Sequence, residues 1–294
     1  MNYLLFHIGK LPKHFYTCVN NILSVDSQAK IYLGTDTKVS IKGVNVVDIN
    51  EFDYLVDKKE KILSTYRNTQ LENNPLWYTS FLRIYALRVV AEHFGIKKFI
   101  HFDNDILIYE PFYRLEECGL VNSNKINITE LNSNNLVFGY SYFDNFQNLD
   151  FLEGFFDKVL NDHKSSANNY NRGAPLNEMR VLKLAQNFKP DYFSILPSLP
   201  YESDFLFDPA SYGQFLNGTN NNRGNYILKR RSISTDHIVG RELKSKRISV
   251  KFKDKRPIVY FDNQAYKLVN LHIHSKNLSK FVSNEYNTHL VESS

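Results

Sequence analysis

Apolar residues in this chain follow two rhythms. One is the short solid run: NYLLFHI at residues 2–8, KIYLG at 30–34 and VNVVD at 44–48 have the length of buried strands. The other returns every three or four residues. KHFYTCVNNIL, after Pro12, spaces its apolar side chains as a helix does, with the proline where a helix starts. WYTSFLRIYALRVVAEHF, residues 77–94, keeps Phe81, Leu82, Tyr85, Val89 and Phe94 on one stripe, and Gly95 supplies the stop. Strand, helix and strand in alternation predict an α/β fold with a largely parallel sheet.

The second half is less regular. SNKINITELNSNN (123–135) and NDHKSSANNYNRGAP (161–175) read as polar loops, LVFGYSYF (136–143) as a strand, and LNEMRVLKLAQNF (176–188) as a helix. FLFDPASYGQFLNGT (205–219) reads as a short helix within a loop, RELKSKRISVKFKDKRP (241–257) as a basic solvated face, and VNLHIHSK (269–276) as the last strand. No internal repeat and no linker interrupts the pattern, so the 294 residues read as a single domain.

The segment FIHFDNDILIYEPF, residues 99–112, breaks the rhythm. It sets Asp103 and Asp105 in the middle of an apolar run, directly after the long helix. An unpaired buried carboxylate is costly, and two side by side repel. A divalent cation between them removes both penalties and leaves positions open for other oxygens, those of a diphosphate among them. The competing reading of a D-x-D triplet is a solvated turn cap; apolar sequence on both sides favours the ion. The carboxyl end of a strand in an open α/β sheet is also where ligands bind.

Composition narrows the classes. A net charge of +5 is too mild to argue for nucleic acid, and the basic stretch carries no recognisable nucleic-acid motif. The 22 Phe and 19 Tyr supply core area and the faces that line sugar and base pockets. Cys18 and Cys118 form no C-x-x-C pair, which argues against a disulfide scaffold or a structural zinc site and for a reducing compartment. The first apolar run is short for a signal peptide, and none approaches the roughly 18 residues of a membrane span. A cytoplasmic protein is the expectation.

Taken in order, these motifs resemble the GT-A nucleotide-sugar glycosyltransferases, in particular the family 8-like and glycogenin-like enzymes. Apolar strand, D-x-D, apolar residues and a Pro-aromatic turn is their pattern. LLFHIGKLPKHFYTCVNNILSVDSQAKIYLGTD is similar to their first strand, helix and second strand. SFLRIYALRVV is similar to the helix before the metal motif, with Arg83 where the family often has an arginine, and LHIHSK to the late histidine-bearing strand. The resemblance implies a mixed sheet flanked by helices, residues 1–110 forming the nucleotide-sugar half and 111–294 the acceptor half with its C-terminal metal and phosphate strand. It implies transfer of a sugar from a nucleotide-sugar donor, UDP-linked, to a glycan or other hydroxyl acceptor, with Mn2+ or Mg2+.

The same resemblance assigns roles. Asp105 would bind the ion directly, and Asp103 would share it and touch the ribose. The third ligand would be His272 or His274, and His274 is preferred because the family's lysine, six residues on, then falls at Lys280. The glycine of that pattern falls on Asn277, a departure, and Lys276 competes as a phosphate ligand. His7 and Gly9 stand where base and ribose would lie. Arg83 would reach the donor, or serve only as a surface ion pair. Asp208 and Gln214, in FDPASYGQF, lie where related enzymes contact donor sugar or acceptor, with Asp208 a candidate base for an inverting mechanism. Glu178 reads as a site residue or a helix-surface charge, and Asp236 and His237 as residues of the same cleft. Two other classes compete. A haloacid dehalogenase-type phosphatase also uses D-x-D at a strand end, but Leu107 stands where Thr or Val is expected, and no Asp-Asp dipeptide exists for its late acidic pair. The other is a non-catalytic carbohydrate- or metal-binding protein on a transferase scaffold.

Overall fold

Alternate side chains of the first strand decide where the core lies. In β1 (Asn2–His7), Tyr3 and Leu5 enter one apolar cluster and Leu4 the other, all three fully buried, so the strand needs cover on both faces. The computed structural model describes residues 1–69, 71–72, 75–217 and 233–282. After β1 come α1 (Lys13–Val25), β2 (Lys30–Thr35), β3 (Val44–Asp48), α2 (Asp53–Thr65), α3 (Pro75–His93), β4 (Phe99–His101), β5 (Ile106–Ile108) and α4 (Phe112–Glu117). The middle holds β6 (Ile126–Asn132), β7 (Asn135–Phe143), α5 (Phe146–Asn161), α6 (His163–Asn171), α7 (Glu178–Phe188), β8 (Phe193–Leu196), β9 (Phe205–Leu206) and α8 (Tyr212–Asn217). Then follow α9 (Ile238–Lys244), β10 (Ser249–Lys253), β11 (Arg256–Phe261), β12 (Gln264–Leu268) and β13 (Asn270–His272).

The main sheet has seven strands in the order β3-β2-β1-β4-β7-β6-β8. Its first four strands run parallel, and β7 enters antiparallel to β4, with His101 opposite Ser141. This is the expected mixed α/β sheet with helices packed on it. The strands β1, β2 and β4 therefore end on one edge, which gathers the loop at Gly9, the turn at Asp36 and the Asp103–Asp105 turn. A second sheet, β10-β11-β12-β9, lies apart, and a short antiparallel pair joins β13 to β5.

That short pair carries the site, and its edges are closed on both sides. Asn21, buried on α1, donates from Nδ2 to the Ile108 carbonyl at 3.0 Å and accepts from the Ile108 N–H at 2.7 Å. A side-chain amide thus supplies the hydrogen bonds that a neighbouring strand would give. On the other edge, Ile106, Leu107 and Ile108 pair with His272, Leu271 and Asn270. The helix α3 is buried nearly all round, from Ser80 to Leu87 without interruption, and so delivers Arg83 into the interior rather than to the surface.

Four expectations change. The segment 123–135 holds the buried strand β6, and 161–175 holds α6; Asn and Ser at exposed or hydrogen-bonded positions disguised both. Within 241–257, the basic residues alternate along β10, with Val250 buried between exposed Ser249 and Lys251, so that run is partly a half-buried hairpin. The last strand stops at His272 rather than continuing to 276.

Candidate metal centre

Asp103 and Asp105 lie in the turn between β4 and β5, not on a strand. The Ile106 N–H closes this turn on the Asp103 carbonyl at 3.2 Å, and the Ile273 N–H reaches the Asp105 carbonyl at 2.9 Å. The turn, rather than strand alternation, brings the carboxylates together.

Each carboxylate divides its two oxygens. Asp103 gives Oδ1 to the Arg83 guanidinium, and Asp105 gives Oδ2 to the Lys276 ammonium. The remaining oxygens face His272: Asp105 Oδ1 lies 3.1 Å and Asp103 Oδ2 3.9 Å from its Nε2. Asp103, Asp105 and His272 offer ligand atoms that all lie within 4.8 Å of one another. Asp105 Oδ1 is buried and takes no hydrogen bond, although His272 Nε2 is close. With Asp103 Oδ2 on the same side, the three ligand atoms border one point. A buried carboxylate oxygen left without a donor is costly, and a cation at that point would satisfy it.

The electrostatics ask for the same charge. Burial alone would raise the Asp105 pKa, but His272 and Lys276 beside it overcome burial and hold it well below the usual carboxylate range. Burial would lower the His272 pKa, and Asp105 and Asp103 pull it up instead. The two carboxylates thus stabilise positive charge at the imidazole. Two hard oxygens and an imidazole nitrogen suit Mn2+ or Mg2+ in the donor types they offer.

His274, the preferred third ligand on sequence, stands outside this group. Its ring packs against that of His272 with centroids 4.4 Å apart, and burial beside His272 drives its pKa down to about 3. The reason for the exchange is the end of β13 at His272: the alternation assumed for a longer strand no longer holds past that residue.

Arg83 is the hinge between the site and the interior. Its second nitrogen donates to Glu178 Oε1 at 2.6 Å, and the guanidinium lies over the Phe138 ring at 5.2 Å. Glu178 is 4% exposed, so it is neither a surface charge nor solvated; burial raises its pKa to about 7 against the pull of Arg83. Nothing in the sequence around Glu178 distinguished it from an ordinary acid in the first turn of a helix. Arg83 itself, on an apolar helix, was the available signal, because a buried arginine needs carboxylate partners.

Asp208 does not stand free as a base. Its Oδ1 accepts from the N–H groups of Ser211 and Tyr212 at 2.6 and 2.8 Å, and its Oδ2 from those of Gly213 and His272 at 2.8 and 2.9 Å. The residue is fully buried. Four backbone donors occupy the carboxylate, so it caps α8 and fixes β13, while burial raises its pKa against the pull of those donors. Gly213 lies against the same strand: a Cβ there would sit 2.0 Å from the His272 carbonyl oxygen. Asn270 completes the support, accepting from the Asp208 N–H at 3.0 Å and donating to the Gly139 carbonyl at 3.1 Å.

The other expected residues spread around this centre. His7 contacts Asn104, the residue between the aspartates, through Nδ1 at 2.9 Å, and His14 contacts the same amide at 3.1 Å. Neither Asn104 nor His14 was singled out on sequence, since a lone His on a helix carries no signal. Gly9, at φ +84°, donates its N–H to Asp36 at 2.6 Å. Gln214 is half-buried on α8, and Lys280 is exposed at the end of a 3₁₀ turn, Leu278–Lys280; among the described residues neither bonds to the metal-ligand group. His237 lies 3.3 Å from Ser211 Oγ, while Asp236 is exposed. Cys18 is buried and Cys118 exposed, both free. A surface cleft of about 800 Å³ between Thr65 and Pro175 shares no residue with the centre. Among the described residues, no helix is long and apolar enough to cross a membrane.

No family model and no curated protein matches the chain. Solved structures do. Mouse xyloside xylosyltransferase 1 is 12% identical, with 67% of this chain and 86% of that one covered at a TM-score of 0.44. The galactosyltransferase LgtC is 10% identical, with 67% and 73% covered at 0.43. The glycosyltransferase GlyE of Streptococcus pneumoniae TIGR4 is 13% identical, with 66% and 44% covered at 0.41. At this degree of likeness, the side chains of the centre have to carry the functional reading.

Proposed function

We propose that this chain is a divalent-metal-dependent glycosyltransferase of the GT-A type, transferring a sugar from a nucleotide-sugar donor, UDP-linked, to a hydroxyl acceptor such as a glycan. The observation that carries it is the convergence of Asp103 Oδ2, Asp105 Oδ1 and His272 Nε2 at the carboxyl edge of the parallel strands, with the remaining carboxylate oxygens on Arg83 and Lys276. A Mn2+ or Mg2+ ion held there would neutralise the charge developing on a departing diphosphate.

The chain's own residues do the rest. Lys276, 41% exposed at its side chain, stands beside the ion position and is the cation best placed to meet a phosphate; Lys280 is a more distant second. Arg83 holds Asp103, and Glu178 holds Arg83. His7 and Gly9 border the nucleotide side. In this reading residues 1–110 carry the nucleotide sugar and 111–294 the acceptor, with β13 closing the centre from the far half. Asp208 and Gln214 then support the site from α8, Asp208 by fixing β13 and Gln214 by facing the donor sugar or acceptor. A phosphatase of the D-x-D class would need a late acidic pair at the site, whereas the third member of this group is His272.

The test is a screen of nucleotide-sugar hydrolysis with manganese present. Slow hydrolysis of one donor, lost on chelation, is expected. A metal-loaded protein that hydrolyses no nucleotide sugar and binds no nucleoside diphosphate would overturn the reading.

A further inference from the structure

Asn104 is the residue between the two aspartates, and its side chain is held at both ends by histidines from other elements. Its Nδ2 lies 2.9 Å from His7 Nδ1, at the end of β1, and its Oδ1 lies 3.1 Å from His14 Nε2, in the first turn of α1. The far nitrogen of His7 lies 3.2 Å from the Lys10 carbonyl. An amide nitrogen only donates and an amide oxygen only accepts. The direction of the whole chain follows. His14 donates from Nε2 to Asn104, Asn104 donates to the Nδ1 lone pair of His7, and His7 donates from Nε2 to the Lys10 carbonyl. His7 is therefore needed as a neutral ring with its proton on Nε2, and His14 with a proton on Nε2; burial lowers the pKa of each.

We propose that Asn104, with His14 and His7, is a positioning network for the metal ligands, resting on the metal reading above. The ends of the Asp103–Asp105 turn are already pinned through the main chain, by Ile106 N–H on the Asp103 carbonyl and Ile273 N–H on the Asp105 carbonyl. Between those pins, Asn104 ties the middle of the turn to β1 and α1, alongside the ion pairs that Arg83 and Lys276 make with the flanking carboxylates. A fixed turn holds Asp103 Oδ2 and Asp105 Oδ1 toward one point. A loose turn lets either carboxylate swing away and must be ordered again on each binding event.

The experiment is a manganese titration of the full chain without nucleotide, read from the electron paramagnetic resonance signal of free Mn2+. The proteins are the parent, Asn104→Leu, His14→Leu, His14→Gln and Asp105→Asn. Asn104→Leu and His14→Leu should raise the dissociation constant by about tenfold, the usual effect of removing a partner that orients a ligand. His14→Gln keeps an N–H donor near the Nε2 position and should titrate close to the parent, which separates the hydrogen bond from any general loss of packing. Asp105→Asn should lose the site. The inference is overturned if Asn104→Leu and His14→Leu titrate like the parent while Asp105→Asn does not bind, or if His14→Gln falls as far as His14→Leu. A parent that binds no manganese would instead remove the metal reading itself, and this inference with it.

Discussion

Single residues here are read best by how their lone pairs are spent. Asp103 and Asp105 each keep one oxygen for a cationic side chain and one for the centre, whereas Asp208 keeps none. Two predictions separate them. Asp105→Ala should abolish transfer and manganese binding in a folded protein. Because Asp105 also pairs with Lys276 and His272, it should lower stability by about 1–3 kcal/mol, measured by urea unfolding. Asp208→Asn should act differently. Its new NH2 would face the N–H of Gly213 and His272, so stability and manganese affinity should fall together, with the pH profile of the residual turnover unmoved. A kcat profile that loses one limb, in a protein as stable as the parent, would restore the general-base role. The sequence made the aspartates of 103–105 conspicuous by their apolar setting. It offered no such contrast for Asp208, whose neighbours in FDPASYGQF are as ambiguous for a cap as for a base.

At the scale of elements, what was legible were the features that a local pattern fixes. The first strand, α1, β2, β3 and α3 follow from solid apolar runs, helical spacing, Pro12 and Gly95, and the D-x-D turn follows from its contradiction with its surroundings. What could not be read depends on partners far along the chain. β6 carries Asn127 and Thr129, buried polar residues whose hydrogen bonds go to the Asn122 carbonyl and to Val137 on β7, so its polarity imitates a loop. β13 is cut at three residues by its pairing with β5, and that cut exchanges His274 for His272. Gly213 is the element-level test of this arrangement, since α8 can approach β13 only where no Cβ intervenes. Gly213→Ala should force the two apart, costing about 1–3 kcal/mol of stability. It should also weaken manganese binding, although residue 213 supplies no ligand. Unchanged melting and unchanged affinity would show that the α8–β13 contact does not set the position of His272.

For the molecule as a whole, the seven-stranded sheet draws strands from both halves of the sequence, so the centre is built where early turns meet a late strand. Stability away from the centre has its own pH signature. Glu153, on α5, is buried, and burial lifts its pKa from 4.5 to about 7 despite Arg88 beside it. The folded state thus holds this proton more tightly than the unfolded state. Its contribution is present in full below about 4.5 and is lost as pH rises to about 7. Glu153→Gln removes the dependence. The melting temperature of the variant minus that of the parent should therefore rise between about pH 5 and about pH 8, and a difference that stays level or falls would contradict the assignment. The central claim, that Asp103, Asp105 and His272 hold an ion which in turn holds a nucleoside diphosphate, is tested most directly by calorimetry of UDP binding. The parent and His272→Ala would be titrated with manganese and with chelator. Tight binding to the parent only with manganese, and a large loss in His272→Ala under the same conditions, is the predicted result. Equal UDP affinity with and without manganese in the parent would contradict it.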